Sequence, residues 1–300
     1  MFSGSLVAIV TPMHPDGAID WPGWERLLAR HLTAGTSGIV VGGTTGESAT
    51  LTDGELLALV ERARMKLGGR AALIAGAGSS STADTVERAR RLSAAGVDAL
   101  LVVTPAYNKP TQEGLYRHFE AVAAAAAVPL VLYNVPSRTA VDMQPATVAR
   151  LAKLPHIVAV KEAVASMDRV RELVALTPKD FAVLSGDDGT AAAAIAHGAR
   201  GVISVTANAV PEAMAQLMAA ALRGERENAL RLDAPLRALH EALFVESNPI
   251  PVKWAMAQRG LIEGGLRLPL TELSEAFHGR VRAALEVAEG LAPLTQAKSA

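Results

Sequence analysis

The chain contains no cysteine, so disulfides and thiolate-bound metals are excluded. It also has no charge bias: 29 Lys and Arg stand against 30 Asp and Glu, a formal net charge of −1. A nucleic-acid or anionic-membrane surface calls for a basic excess that is missing here. The apolar run from Ala121 to Tyr133 is too short to span a bilayer, and it holds Pro129. The N-terminus, MFSGSLVAIVTPM, lacks the basic start of a signal peptide. A soluble, cytoplasmic protein is therefore expected. Aromatic residues make up only 4% of the chain, which together with abundant alanine suits close helix contacts and decides little else.

What the chain does have is length and apolar content. Its 300 residues, half of them hydrophobic, can bury a large core. Apolar β-type runs occur at Ser5–Thr11, Gly38–Gly42, Ala71–Ala75, Ala99–Thr104, Leu130–Asn134, Ile157–Lys161, Ala182–Ser185 and Gly201–Val205. Amphipathic segments lie between them. Thr82–Ala95 is a clear one, with Thr82 placed to cap it, Val86, Ala89 and Leu92 on one face, and Gly96 to end it. Repeated strand–helix units predict a parallel sheet. Eight of them favour a closed (β/α)8 TIM barrel over an open, doubly wound sheet. After about Asn208 the strand signal stops, and helices are predicted over Pro211–Arg223, Glu225–Ala242, Ile250–Gln258 and Leu270–Ala288. The expected division is a barrel over 1–225 and a C-terminal helical domain over 226–300, with a frayed tail from Thr295 to Ala300.

In a barrel, chemistry gathers at the C-terminal ends of the strands. Those ends carry Thr11-Pro12, Gly42 to Glu47, Gly76 to Gly78, Thr104 to Asn108, Tyr133-Asn134, Lys161-Glu162, Gly186 to Asp188 and Thr206 to Asn208. Lys161 closes the run IVAVKEA. A strand-end lysine commonly reaches water or pairs with a neighbour such as Glu162. A buried one can instead have its pKa lowered and attack a carbonyl to form a Schiff base. An ordinary amine, with a pKa near 10.4, is almost wholly protonated at pH 7; lowering it by roughly 3 units takes about 4 kcal/mol, within what burial supplies. Alternation points Ala159, Lys161 and Ala163 into the barrel, and Val158, Val160 and Glu162 toward the helices.

GGTTGE, Gly42 to Glu47, is neither a P-loop nor a dinucleotide fingerprint. Its backbone amides and two hydroxyls suit a small carboxylate, although an ordinary strand–helix turn has the same composition. Tyr133 stands one strand before Lys161 and can pass protons while an imine forms and breaks; a core tyrosine with a satisfied hydroxyl is the commoner occurrence. Arg138 suits bidentate carboxylate recognition, or is a solvated loop arginine. Tyr107 is a loop aromatic that can pack on a neighbouring subunit. Asp187 and Asp188 read as helix caps rather than metal ligands. The seven histidines are scattered, and none is assigned to chemistry. Together these residues describe a metal-free Schiff-base aldolase or lyase acting on a small keto acid.

The motifs GSLVAIVTPM, GGTTGESATL, TPAYNKPTQEGLYRHF, YNVPSRT, VAVKEA, LSGDD, GVISVTAN and ESNPIPVKWAM resemble the dihydrodipicolinate (4-hydroxy-tetrahydrodipicolinate) synthase family of the N-acetylneuraminate lyase superfamily. The resemblance runs from residue 3 to at least residue 256. It implies that Lys161 forms an imine with pyruvate, whose enamine attacks L-aspartate 4-semialdehyde in diaminopimelate and lysine biosynthesis. By motif position it implies that Tyr133, Thr44 and Tyr107 form a proton relay, with Tyr107 reaching in from an adjacent subunit. Thr45 would hold the pyruvate carboxylate and Arg138 the semialdehyde carboxylate, while Gly186 and Ile203 would line the pocket. No metal or organic cofactor is implied, and a homotetramer built as a dimer of dimers is. Lysine-inhibited members carry two histidines where this chain has Asp53 and Leu56, an asparagine and a glutamate where it has Ser80 and Asp84, and a second tyrosine at Ala106. Weak or absent inhibition by lysine is therefore expected. The rival readings are another pyruvate-dependent aldolase, such as N-acetylneuraminate lyase or a keto-deoxy-sugar aldolase, and a non-catalytic keto-acid-binding barrel.

Overall fold

Eight short parallel strands close on themselves in chain order. They are β1 (Gly4–Ala8), β2 (Gly38–Val41), β3 (Ala72–Gly76), β4 (Ala99–Val103), β5 (Leu130–Asn134), β6 (Ile157–Glu162), β7 (Ala182–Ser185) and β8 (Gly201–Ser204). The computed structural model describes residues 2–290, so the expectation for Thr295–Ala300 lies outside the described residues. β1 pairs with both β2 and β8, which removes the exposed edges that an open sheet would have to cover. A helix follows every strand, and the connecting segments are capped by residues suited to it. Asp20, for example, accepts from the Gly23 amide at 2.8 Å, and Thr52 with Glu55 forms a reciprocal capping box. Among the described residues no helix is long and apolar enough to cross a membrane.

Two apolar layers result. Inward side chains such as Leu6, Val40, Ile74, Leu101, Val131 and Leu184 fill the barrel. Outward ones, among them Ile39, Leu100, Leu132 and Val160, pack beneath the helices. Small residues at Ala159 and Ala182 keep the barrel interior narrow without overfilling it.

The register corrects one detail of the expected alternation. Leu130 pairs with Ile157, but Val131 pairs with Ala159, so Val158 is an extra residue in β6. Ile157 packs in the outer layer, Val158 against the inner one, Ala159 in the inner layer and Val160 in the outer. Val158 therefore does not face the helices. A bulge shifts the period of two by one residue. This one gives Ile157 the outer face while leaving Lys161 on the inner.

Beyond β8 the chain is helical over Pro211–Leu222, Arg226–Asp233, Arg237–Ala242, Ile250–Gln258 and Glu275–Glu289. The single helix expected over Glu225–Ala242 is broken by a 3-10 turn at Ala234–Leu236. Pro235 causes the break, because it has no amide to donate and its ring clashes with the preceding turn. The last helix starts at Glu275 rather than Leu270, and the Glu246 carboxylate accepts from the Ser274 amide at its start. The cap of the helix Thr82–Ala94 is Ser81, whose hydroxyl accepts from the Asp84 amide at 3.3 Å. Thr82 instead pairs with His118 Nδ1 at 2.9 Å.

Candidate active site

Lys161 comes off the C-terminal end of β6 and is only 5% exposed. Its register partner on β5 is Tyr133. The Lys161 Nζ stands 4.3 Å from the centre of the Tyr133 ring. Both side chains open into a cleft of about 580 Å³ whose other lining residues include Thr44, Thr45, Arg138 and Gly186. A second, smaller space of about 40 Å³ lies against Thr44, Gly76, Val103 and Tyr133.

Gly186 is there for a steric reason. A Cβ at that position would stand 3.1 Å from the Lys161 Cε and 2.9 Å from the Ala163 Cβ. Any larger residue would press on the lysine stem.

The Gly42 to Glu47 turn is held by its own amides. Gly46 and Ser48 donate to the Gly43 carbonyl at 3.0 and 3.2 Å, and Glu47 donates to that of Thr44 at 3.0 Å. Thr11 Oγ1 adds a bond to the Gly46 carbonyl at 2.8 Å. Glu47 adopts φ +58°, an unusual value for a residue with a side chain. Its carboxylate is fully buried and bonded to the equally buried Lys253 Nζ at 2.5 Å. Lys253 also donates to the Thr11 carbonyl at 3.0 Å. Burial pushes the Lys253 ammonium below its ordinary pKa, and the Glu47 carboxylate opposes that shift. The turn that presents Thr44 and Thr45 is thus fastened from behind by a helix of the C-terminal segment.

That segment also supplies a cleft wall, Phe244 to Asn248. Asn248 Nδ2 donates to Thr45 Oγ1 at 2.9 Å, and the Asn248 carbonyl accepts from Arg138 Nη2 at 3.2 Å. Arg138 lies on a short helix, Pro136–Thr139, rather than in a loop.

Six of the eight expected site residues therefore meet around one cleft. Ile203 sits instead in the barrel's inner core with Tyr133 and Ala163, and is 1% exposed. Tyr107 is 94% exposed with φ +70° and does not line the cleft of its own chain. Asp187 bonds the Thr190 amide at 3.0 Å just ahead of a helix. Asp188 is not a helix cap: it is buried and accepts from the Val205 and Thr206 amides at 2.9 Å each, tying the end of β7 to that of β8. Sequence reasoning missed Asn248 and Lys253, although the stretch ESNPIPVKWAM that carries both was visible. The one available signal was an amide and an amine beside prolines in an otherwise apolar segment.

Glu162 faces away from the cleft. It accepts from Asn134 Nδ2 with both oxygens at 3.1 Å and from the Val164 amide at 2.9 Å. Burial raises its carboxyl to about 7.

The model of the dihydrodipicolinate synthetase family matches residues 1–288. The chain belongs to that family. A 4-hydroxy-tetrahydrodipicolinate synthase of Cellvibrio japonicus is 51% identical over 288 residues, 96% of this chain and 99% of the relative. Another, from Alkalilimnicola ehrlichii, is 52% identical over 291 residues, covering 97% and 100%. Among solved structures, the dihydrodipicolinate synthase of Acinetobacter baumannii complexed with pyruvate superimposes with a TM-score of 0.95 at 46% identity, covering 96% of this chain and 99% of that one. The barrel fold described above is thus shared with the solved dihydrodipicolinate synthase.

Proposed function

We propose that this chain is a 4-hydroxy-tetrahydrodipicolinate synthase that joins pyruvate to L-aspartate 4-semialdehyde through an imine on Lys161. The observation that carries the reading is the buried Lys161 amine, which has no ion-pair partner among the described residues and stands 4.3 Å from the Tyr133 ring in an open cleft. The unprotonated amine attacks the pyruvate keto carbon, and loss of water leaves the imine. Removal of a methyl proton gives an enamine, whose carbon attacks the semialdehyde carbonyl. The acceptor's own amine then attacks the imine carbon, which closes the ring and frees Lys161.

Each step moves a proton, and in this reading Tyr133 with Thr44 carries it. Thr45 and its turn hold the pyruvate carboxylate. Arg138, exposed at the cleft mouth, holds the semialdehyde carboxylate. Gly186 leaves the lysine stem room, and Ile203 closes the barrel beneath. Tyr107 projects into solvent from a left-handed backbone position, and in this reading it completes the relay of a neighbouring copy. The assembly is then a homotetramer made of two tight dimers. The reading also takes 1–225 as the barrel domain, 226–300 as the helical domain, and the enzyme as cytoplasmic.

Feedback by lysine is expected to be weak. Asp53 is engaged by Arg88 at 2.9 Å, and Leu56 is buried. Inhibition at sub-millimolar lysine in a coupled assay would overturn that expectation.

Treatment with pyruvate and borohydride tests the central claim. A mass gain located at Lys161, with turnover of aspartate semialdehyde, is the expected result. No adduct would remove the enzyme reading, and an adduct with turnover on sugar acceptors alone would move the chain to the sugar aldolases. Arg138→Ala should raise KM for the semialdehyde about 10-fold or more while adduct formation continues.

A further inference from the structure

We infer that Glu162 is a positioning residue for imine formation, fixing through Asn134 and Val164 the strand ends that hold Lys161 beside Tyr133. The inference rests on the reading of Lys161 as the pyruvate-binding amine. Tyr133 pairs with Lys161 across β5 and β6, and the next pair along is Asn134 with Glu162. The side chains of that second pair point the other way and bond to each other at 3.1 Å. Each of the two reacting groups is therefore followed by a residue that locks its strand from behind.

The lock extends further. The Val164 amide donates to Glu162 at 2.9 Å, which fixes the backbone leaving β6. The Gly186 amide donates to the Glu162 carbonyl at 2.7 Å, and Gly186 packs against the Lys161 stem. Asn134 Oδ1 accepts from the Met143 amide at 2.9 Å, and its Nδ2 also reaches Asp142 at 2.8 Å. Asp142 pairs with Arg169 at 2.5 Å, and Arg169 Nη1 donates to the Met143 carbonyl at 3.1 Å. Arg169 Nη1 comes to 4.0 Å from the Glu162 carboxylate and so closes the ring. The charged groups around Glu162 are thus Arg169 on the following helix, Asp142 after β5, and Lys161 on the opposite face of its own strand.

Stability alone gives no reason for this network. Apolar residues of the same volume would fill the space between strand and helix without desolvating a carboxylate. What a fully satisfied polar network supplies is a single geometry. Reacting atoms need that geometry to a fraction of an ångström, and a misplacement of about 1 Å can cost 100-fold in rate.

Glu162→Gln tests the inference. It keeps one acceptor oxygen for Val164 but turns an N–H2 toward Asn134. Imine formation is read by borohydride trapping of pyruvate, and each rate is divided by the folded fraction from circular dichroism. The expected result at about pH 8 is trapping slowed by about 10-fold or more, with KM for the semialdehyde within about 2-fold of wild type. The deficit should narrow below about pH 6, where the wild-type carboxyl, pushed up to about 7 by burial, also carries a proton. A merely structural role would not produce that convergence.

Trapping at the wild-type rate per folded molecule at about pH 8 would overturn the inference. No adduct in the wild type would remove the parent reading and this one together. Should Glu162→Gln fail to fold, Glu162→Met, which fills the volume without polarity, gives the same readout.

Discussion

Two lysines of this chain are almost wholly withdrawn from water, and their surroundings differ in one respect. Lys253 is 0% exposed and bonded to the Glu47 carboxylate and the Thr11 carbonyl. Lys161 is 5% exposed, and among the described residues no carboxylate lies within ion-pairing distance of it. Its near neighbours are the Tyr133 ring, Ala163 and Gly186. An ammonium whose protons are taken by fixed acceptors has no lone pair to offer. Lys161 has no such fixed acceptor among the described residues, and it lines the cleft beside the Tyr133 ring. Burial therefore does not mark a nucleophile. Lys253 has a partner that holds a turn, and the proposed function gives Lys161, which has no ion-pair partner among the described residues, the chemistry.

Exchanging the two fates gives the largest effect. Lys161→Met should lower kcat by roughly 10⁴-fold or more, because the proposed function forms the covalent intermediate on its amine. The pyruvate–borohydride adduct should vanish with it. The fold should survive, since an apolar side chain of similar length fills the space without desolvating an amine. A calorimetric Tm lowered by many degrees would show that Lys161 also has a structural partner.

Lys253→Met should do the reverse. It strands the Glu47 carboxylate in a site of 0% side-chain exposure, at a cost of about 3–5 kcal/mol in a denaturant titration. The remedy distinguishes pairing from packing: Glu47→Gln together with Lys253→Met removes both charges and should recover most of the loss. The double variant should still bind pyruvate covalently, because Lys161 is untouched. Failure to recover would mean that the ion pair itself, rather than a stranded charge, sets the stability of the Gly42 to Glu47 turn.

The sequence exposed one of these lysines and hid the other. Lys161 stood out because it interrupts an apolar run of strand length and because strand order places Tyr133 beside it. Lys253 lies in a helix whose alternating apolar residues look like any packed helix. Its partner Glu47 is 206 residues away, and no local pattern links them. The barrel was legible because period, length and spacing repeat eight times. The bulge at Val158 was not, because one inserted residue leaves an apolar run apolar. The same limit applies to Asp188, and to the partners of Glu162 though not to the direction it faces: which strand end and loop lie beside them is known only once the barrel has closed.

Glu162, on the opposite face of β6 from Lys161, is intermediate between the two lysines and gives the smallest effect. Amides bond it, but its nearest cation, Arg169, is 4.0 Å away, and burial raises its carboxyl to about 7. A carboxyl near 4.5 when unfolded and near 7 when folded binds more protons in the folded state between those values. Its contribution is thus most favourable below about pH 4.5 and is lost as pH rises through 7. Glutamine has no such titration. The stability of Glu162→Gln relative to wild type should therefore climb between about pH 5 and 7 and level off above, by roughly 3 kcal/mol at most. Lost hydrogen bonds to Asn134 shift the whole curve down without changing its shape. Urea titrations across that pH range read the difference directly. A flat difference would mean that Arg169 neutralises Glu162 as fully as Glu47 neutralises Lys253, and the two faces of β6 would then differ only in which one opens to the cleft.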